Sequence, residues 1–409
     1  MTQPVVSKHI VVLVYNSFGD PLCSSFFMSY LKPFTTGSYS FHLITFEQKE
    51  YAFSEDERRN ISNDLLAQNI SWYPMKYMSG HFILIKKIFN FLSAFCIIAQ
   101  LKMKWRPALM LSMSNVAGSM AYVCSRLLRI KNCILIYEPH ADFMADFGYW
   151  KKSGLKYKLL HTLEQRAGRR SEFILTGTKR LRDELAPVAK GNIIRAPSAV
   201  DENVFQFSGE ARTQIRTMLG LRKEQPVLIY AGKFGGLYYE KEIPEFLAKL
   251  KKEIPDMFFL IITREDHQRI HNMMSNAGVN SNLYHLESAH SPKEMRAWYS
   301  AADIGLSGVP PFPSQKYRSP VKVGEYLMCG LPYITCRGIS EDDKAVLEKN
   351  VGVMVESLPG GDVKVAAEEI KSLFKEDKTQ LRKRCREAGI EYRSLQNVIP
   401  ILKQIFESA

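Results

Sequence analysis

A chain of 409 residues that is 46% hydrophobic and 24% charged has the composition of a folded protein with room for two ordinary domains, which excludes a disordered or fibrous polypeptide. Its formal charge of +13 favours anionic partners, whether nucleotides, phosphates, anionic membrane or nucleic acid, without choosing among them. The seven cysteines are odd in number and no two have CxxC spacing, which argues against a zinc site or a disulfide framework and for a reducing, cytoplasmic compartment.

In chain order, "HIVVLVY" (9–15) reads as a buried strand and is too short for the core of a secretion signal. The loop "NSFGDP" after it supplies Gly19, suited either to close approach of a ligand or to a plain tight turn. "SFHLITF" is a second strand. The most apolar window, 82–101, is interrupted by Lys86, Lys87 and Asn90. It is read as a partly buried helix, or one lying on a membrane face, and not as a membrane span. Strands at "ALMLSMS", "NCILIYE" and "EFILTGT" then alternate with helical windows at 118–128 and 155–170. The stretch 151–182 is basic, with Lys151, Lys152, Lys156, Lys158, Arg166, Arg169 and Arg170. They suit an anionic membrane, a lipid diphosphate, or simply a solvated face.

The pattern restarts near residue 200. "PVLIYAGKF" is a new strand opening on glycines, followed by a helix at 243–253, the strand "MFFLIIT", and "SPKEMRAWYSAADIGLS" as helix then strand. Two such series imply two parallel sheets covered by helices, hence two Rossmann-like domains. The polar junction "APSAVDENVF" (196–205) reads as the linker. The expected domains are 1–197, 198–385, and a C-terminal helix in 386–409 that packs back toward the first. Ligands are expected at the C-terminal ends of the strands, in the cleft between the two domains.

In "SPVKVGEYLMCGLPYITC" (319–336), Ser319 fits an N-cap and Pro320 the first helical position. Lys322 and Glu325 then share one face of the first turns. A helix N-terminus attracts anions, so Lys322 suits a diphosphate and Glu325 a ribose diol. A solvated ion pair is the other reading.

This segment resembles the donor-binding signature of GT-B glycosyltransferases, in particular the retaining family-4-like group. Pro320, Lys322, Glu325, Tyr326, Gly330 and Pro332 stand in register with its P-x-K-x-x-E-Y-x-x-x-G-x-P form. "PSAVDENVF" resembles the family's linker, with Ala199 in place of a glycine, and "LIYAGKFGGLYYEK" its first donor-domain strand and glycine loop. The resemblance implies an α/β, GT-B architecture of two Rossmann-like domains facing each other across a cleft. It implies a nucleotide-diphosphate sugar (UDP or GDP) as donor, no metal, a hydroxyl acceptor on a glycan or lipid-linked saccharide, and retention of configuration. Gly232, Lys233, Ser319, Lys322 and Glu325 would hold the donor, with Lys241 as a further cation. His140, with Asp142 near it, would face the reacting sugar, and His140 and Lys322 would be catalytic. A lone histidine is equally a structural hydrogen-bonding residue. One element departs from the family: the position eight before Glu325, a glutamate in many relatives, is Tyr317.

The basic 151–182 region and the apolar 82–101 window together suggest peripheral attachment to the inner face of a membrane. Nucleic acid is not an expected partner, since no RNA-recognition motif, zinc finger or helix-turn-helix is evident. Two further readings of the same architecture stay open: a nucleotide-sugar 2-epimerase, and a non-catalytic nucleotide-sugar-binding protein.

Overall fold

The computed structural model describes residues 8–78, 83–136, 139–339 and 342–409. The backbone divides into two compact units, 1–197 with 396–409, and 198–395.

The first unit is built on β1 (Lys8–Val14), β2 (Tyr39–Glu47), β3 (Ile70–Lys76), β4 (Leu109–Met113), β5 (Lys131–Ile136), β6 (Phe173–Thr176) and β7 (Asn192–Arg195). All pair in parallel, in the order β3-β2-β1-β4-β5-β6-β7. Central strands covered on both faces read as unbroken apolar runs, which is why β1, β2, β4 and β5 were legible. β3 and β7 were not. β3 carries Pro74, which demotes a strand in sequence, and its place at the sheet edge is where a proline is tolerated.

Four helices of this unit matter below: α1 (Ile83–Trp105), α2 (Asn115–Leu128), α3 (His140–Asp146) and α4 (Leu155–Arg170). α1 buries Ala94, Ile98 and Leu101 against Val11, Leu13, Ile44 and Phe46. Each fully buried side chain of this size contributes about 1.5–3 kcal/mol. α2 approaches β5 so closely that a Cβ on Gly118 would lie 2.2 Å from Ile134. The C-terminal helix Ile399–Ser408 belongs to this unit, where Phe406 packs on Phe34, Tyr39 and Phe41.

The second unit carries β8 (Val227–Ala231), β9 (Phe258–Ile262), β10 (Tyr284–Glu287), β11 (Ile304–Leu306), β12 (Tyr333–Cys336) and β13 (Gly352–Val355). They form a parallel sheet in the order β10-β9-β8-β11-β12-β13. Around it lie α5 (Glu242–Glu253), α6 (Pro292–Ala301), α7 (Val321–Met328) and α8 (Lys378–Arg393). Residue 386, the expected start of the terminal segment, sits inside the continuous α8. The chain returns to the first unit only after Leu395. The physical reason is packing: a Cβ on Gly389 of α8 would lie 3.1 Å from Leu327 of α7, so α8 is docked on the second unit along its length.

In both sheets the strand order reverses beside the first strand, between β1 and β4 and between β8 and β11. Such switch points, at the C-terminal ends of the strands, are where doubly wound sheets hold ligands.

Candidate functional site

At the β8/β11 switch point the chain leaves Ala231 through Gly232 and Lys233 into a glycine loop. Gly235 and Gly236 have φ of +81° and +65°, a region that favours glycine. The loop is braced from several sides. The Tyr230 hydroxyl donates to the Lys233 carbonyl, and the Phe234 N–H donates to Glu265 Oε2 at 2.7 Å. Arg269 pairs with Glu240 and with Glu265 (3.6 Å). The Tyr239 N–H donates to the Gly308 carbonyl at 2.9 Å, joining this loop to the one after β11. Lys233 is left on the exposed side of the loop.

α7 begins one residue later than expected. Pro320, in extended conformation, is its N-cap, and no side chain caps the helix. Ser319 is buried, and its hydroxyl accepts from the Ser198 N–H at 3.1 Å and from the guanidinium of Arg393. Arg393 is itself buried and needs an acceptor, so tertiary demand takes the serine away from its capping role. The first N–H groups of α7 therefore have no capping side chain.

Lys322 and Glu325 do form the ion pair, at 3.0 Å. It is not a fully solvated pair: the Glu325 side chain is 10% exposed against 39% for Lys322. The burial has a cause 26 residues away, because Tyr299 of α6 donates a 2.6 Å hydrogen bond to the same Glu325 oxygen. Burial and the neighbouring carboxylate push the Tyr299 phenol well up, so it stays a donor. The next residue, Tyr326, sits on the switch point. Its hydroxyl accepts from the Ala231 N–H of β8 at 3.3 Å and donates to the Leu306 carbonyl of β11 at 3.2 Å. A Cβ on Gly305 would lie 2.7 Å from its ring, so the close approach requires that glycine.

Arg318, just before α7, bridges to the glycine loop, a contact the sequence did not disclose. Its guanidinium donates to the Leu237 carbonyl (3.3 Å), the Tyr238 hydroxyl (2.9 Å) and Gln315 Oε1 (3.2 Å), and lies 4.8 Å from the Tyr238 ring centre. Its partners in the glycine loop lie 80 residues away and no local pattern marks them. Tyr299 was missed for the same reason. Lys241 is the N-cap of α5, exposed, past the braced part of the loop.

In the first unit His140 is the first residue of α3 and half-buried, its ring packed with Phe143 and edge-on to Trp150 at 6.0 Å. The backbone N–H groups of His140 and Ala141 both donate to the carboxylate of Glu164, at 3.1 and 3.2 Å. Glu164 lies in the middle of α4 and is buried, which pushes its carboxyl up to about 8 against the pull of these N–H groups. Asp142 accepts from Tyr157 at 2.5 Å and lies 3.6 Å from His161. Gly19 is backed by Phe53 and Tyr51, 3.0 and 3.2 Å from where a Cβ would stand. Among the described residues no group of three or more His, Cys, Asp or Glu is placed to hold a metal ion.

Residues 211–392 match the family described as glycosyl transferases, group 1. That match spans most of the second unit. Solved structures extend the likeness to almost the whole length of the chain. Sucrose-phosphate synthase from Thermosynechococcus elongatus is 14% identical with a TM-score of 0.72, covering 98% of both chains. Anabaena HepE, solved with UDP-glucose, is 12% identical with a TM-score of 0.70, over 98% of this chain and 100% of that one. An assigned UDP-N-acetylglucosamine 2-epimerase from Listeria monocytogenes is 9% identical with a TM-score of 0.59, over 93% and 91%. These likenesses show the GT-B fold. No curated protein matches the sequence of the chain.

Proposed function

We propose that the chain transfers a sugar from a nucleoside diphosphate sugar, UDP before GDP, to a hydroxyl acceptor on a glycan or lipid-linked saccharide. The observation that carries this reading is Tyr326, which anchors α7 to the ends of β8 and β11. In this reading that anchor holds Lys322 and Glu325 beside the loop that bears Lys233. A diphosphate there would meet the backbone of the glycine loop after Gly232, the N-terminus of α7, and the Lys233 and Lys322 side chains. Ser319 serves by positioning, tying α7 to residue 198. Glu325, aimed by Tyr299, would accept from the ribose hydroxyls.

The hard step is departure of the diphosphate as positive charge grows at the anomeric carbon, and fixed cations on the leaving group lower that barrier. In this reading no metal is required, configuration is retained, and the leaving phosphate takes the acceptor's proton. His140 is the first-unit residue assigned to the reacting sugar. Glu164 holds the helix that begins with it.

A thermal-shift screen of UDP, GDP, ADP and CMP and their common sugar conjugates tests the donor site. At about 100 times its dissociation constant a ligand stabilises by about 2.7 kcal/mol. Stabilisation of the wild type and its loss in Glu325→Ala support the site, and the absence of any shift overturns it. The epimerase fold likeness sets a second arm. Donor incubated without acceptor should stay unepimerised, and conversion to an epimer would replace the transferase reading.

A further inference from the structure

A row of large apolar side chains runs along the outer side of α1. Ile85, Ile88, Phe89, Leu92 and Met103 are between 47% and 77% exposed, and Cys96, exposed while the other six cysteines are buried, stands in the same row. At about 100° per residue they fall within one stripe, opposite the buried Ala94, Ile98 and Leu101. A contiguous exposed apolar surface on a soluble unit marks an interaction site.

The tertiary structure shows what surrounds the row. α1 and α2 share one core on one face of the sheet, through Ala94 and Ile98 of α1 and Ala117, Ala121 and Cys124 of α2. α2 meets β5 at Ile134 and α4 meets it at Ile136, where Gly168 packs. Residues two apart on a strand face the same side, so α1, α2 and α4 cover one face together. The charges of this layer are of one sign. α1 and α2 contain no Asp or Glu, and the one carboxylate of α4, Glu164, is buried beneath it. Lys102 and Lys104 of α1 and Lys156, Arg166 and Arg169 of α4 remain, while Arg126 of α2 lies 3.9 Å from Glu172 just past α4.

We propose that this face docks on an anionic lipid bilayer. α1 lies in the interface plane with its outer row among the acyl chains, and the lysines and arginines of the layer meet the phosphate headgroups. No helix of the described residues is long and apolar enough to cross a membrane, which leaves α1, about 34 Å long, to lie along the surface. A second copy fits poorly, since pairing the face with itself brings like charges together. Nucleic acid would satisfy the cations but leave the row Ile85 to Met103 in water. The apolar window and the basic stretch, separate in the sequence, are here one layer.

The test uses the full chain with vesicles of phosphatidylcholine alone and of an equal mixture with phosphatidylglycerol. Binding to the mixed vesicles should be at least about tenfold tighter and weaken with salt. The triple variant Ile88→Glu, Phe89→Glu, Leu92→Glu should lose at least about tenfold while its thermal melt and its nucleotide shift stay those of the wild type. An environment-sensitive fluorophore on Cys96 should shift to the blue on vesicles and be quenched by acyl-chain spin labels. Absence of binding to mixed vesicles, or a label that stays in water, overturns the proposal. So does a wild type that self-associates while the triple variant is monomeric, which would assign the row to a second copy. The readout is lipid binding, independent of the transferase reading, and either can fail without the other.

Discussion

Tyr299 and Lys322 meet on a single atom, Oε2 of Glu325, the tyrosine at 2.6 Å from the buried side and the lysine at 3.0 Å from the solvent side. The carboxylate is thereby held in one direction by a donor that stays protonated at any ordinary pH. An i,i+3 pair on an open helix face has no such restraint and contributes little.

Tyr299→Phe should therefore leave Glu325 chemically intact but poorly aimed. Loss of one hydrogen bond to a charged group is worth about 1.5–3 kcal/mol, so UDP affinity measured by calorimetry should fall about tenfold or more. An affinity equal to wild type would mean that Lys322 alone orients the carboxylate.

Arg318 spans from the start of α7 to the glycine loop, and its planar fork serves two loop acceptors at once. Arg318→Lys keeps the charge and loses the fork. Both Arg318→Lys and Arg318→Ala should weaken nucleotide binding by about tenfold, with the lysine giving little rescue. Full rescue by lysine would show that charge alone matters there.

Gly305→Ala places a methyl group 2.7 Å from the buried ring of Tyr326. Overpacking of this kind costs about 1–3 kcal/mol. The melting temperature should drop, and nucleotide binding should drop with it because Tyr326 carries α7. Gly236→Ala is the control: φ is +65° but no atom lies within 4 Å of the added carbon. Its cost should be confined to about 1 kcal/mol of backbone strain.

Glu164 makes a pH prediction with a definite sign. Its folded carboxyl is raised to about 8 from 4.5, so the unfolded chain ionises first as pH rises. Its contribution is fully present below about pH 4.5 and is lost progressively up to about pH 8. The melting temperature of Glu164→Gln relative to wild type should therefore climb between pH 5 and pH 8.5. A flat difference would show that the buried carboxyl is ionised throughout. His42 runs the other way: burial, with His9 and Lys104 nearby, pushes it down to about 4 from 6.5. Its contribution is lost as pH falls through that window.

Much of the fold was legible because local signals and burial agree. β1, β2, β4, β5, β8 and β9 are apolar runs long enough to be central parallel strands, and α4 runs from Leu155 to Arg170, the span its helical window predicts. Edge strands failed this test. β3 carries Pro74 and β7 is the four residues NIIR, since an edge is covered less and demands less of its sequence.

By itself the sequence determined the two α/β series, the spacing that puts Lys322 over Glu325, and the glycines after β8. Each depends only on residues within a few turns or one strand of each other, where backbone periodicity sets the geometry. Only the tertiary structure decided that Ser319 answers Arg393 and not the end of α7, and that Tyr299 buries Glu325. It alone placed Arg318 against Tyr238, and Glu164 under the helix that starts at His140. These contacts join residues 24 to 80 positions apart. They are chosen by what a buried donor or charge must find in order to leave water, and that demand exists only once the sheets have closed over it.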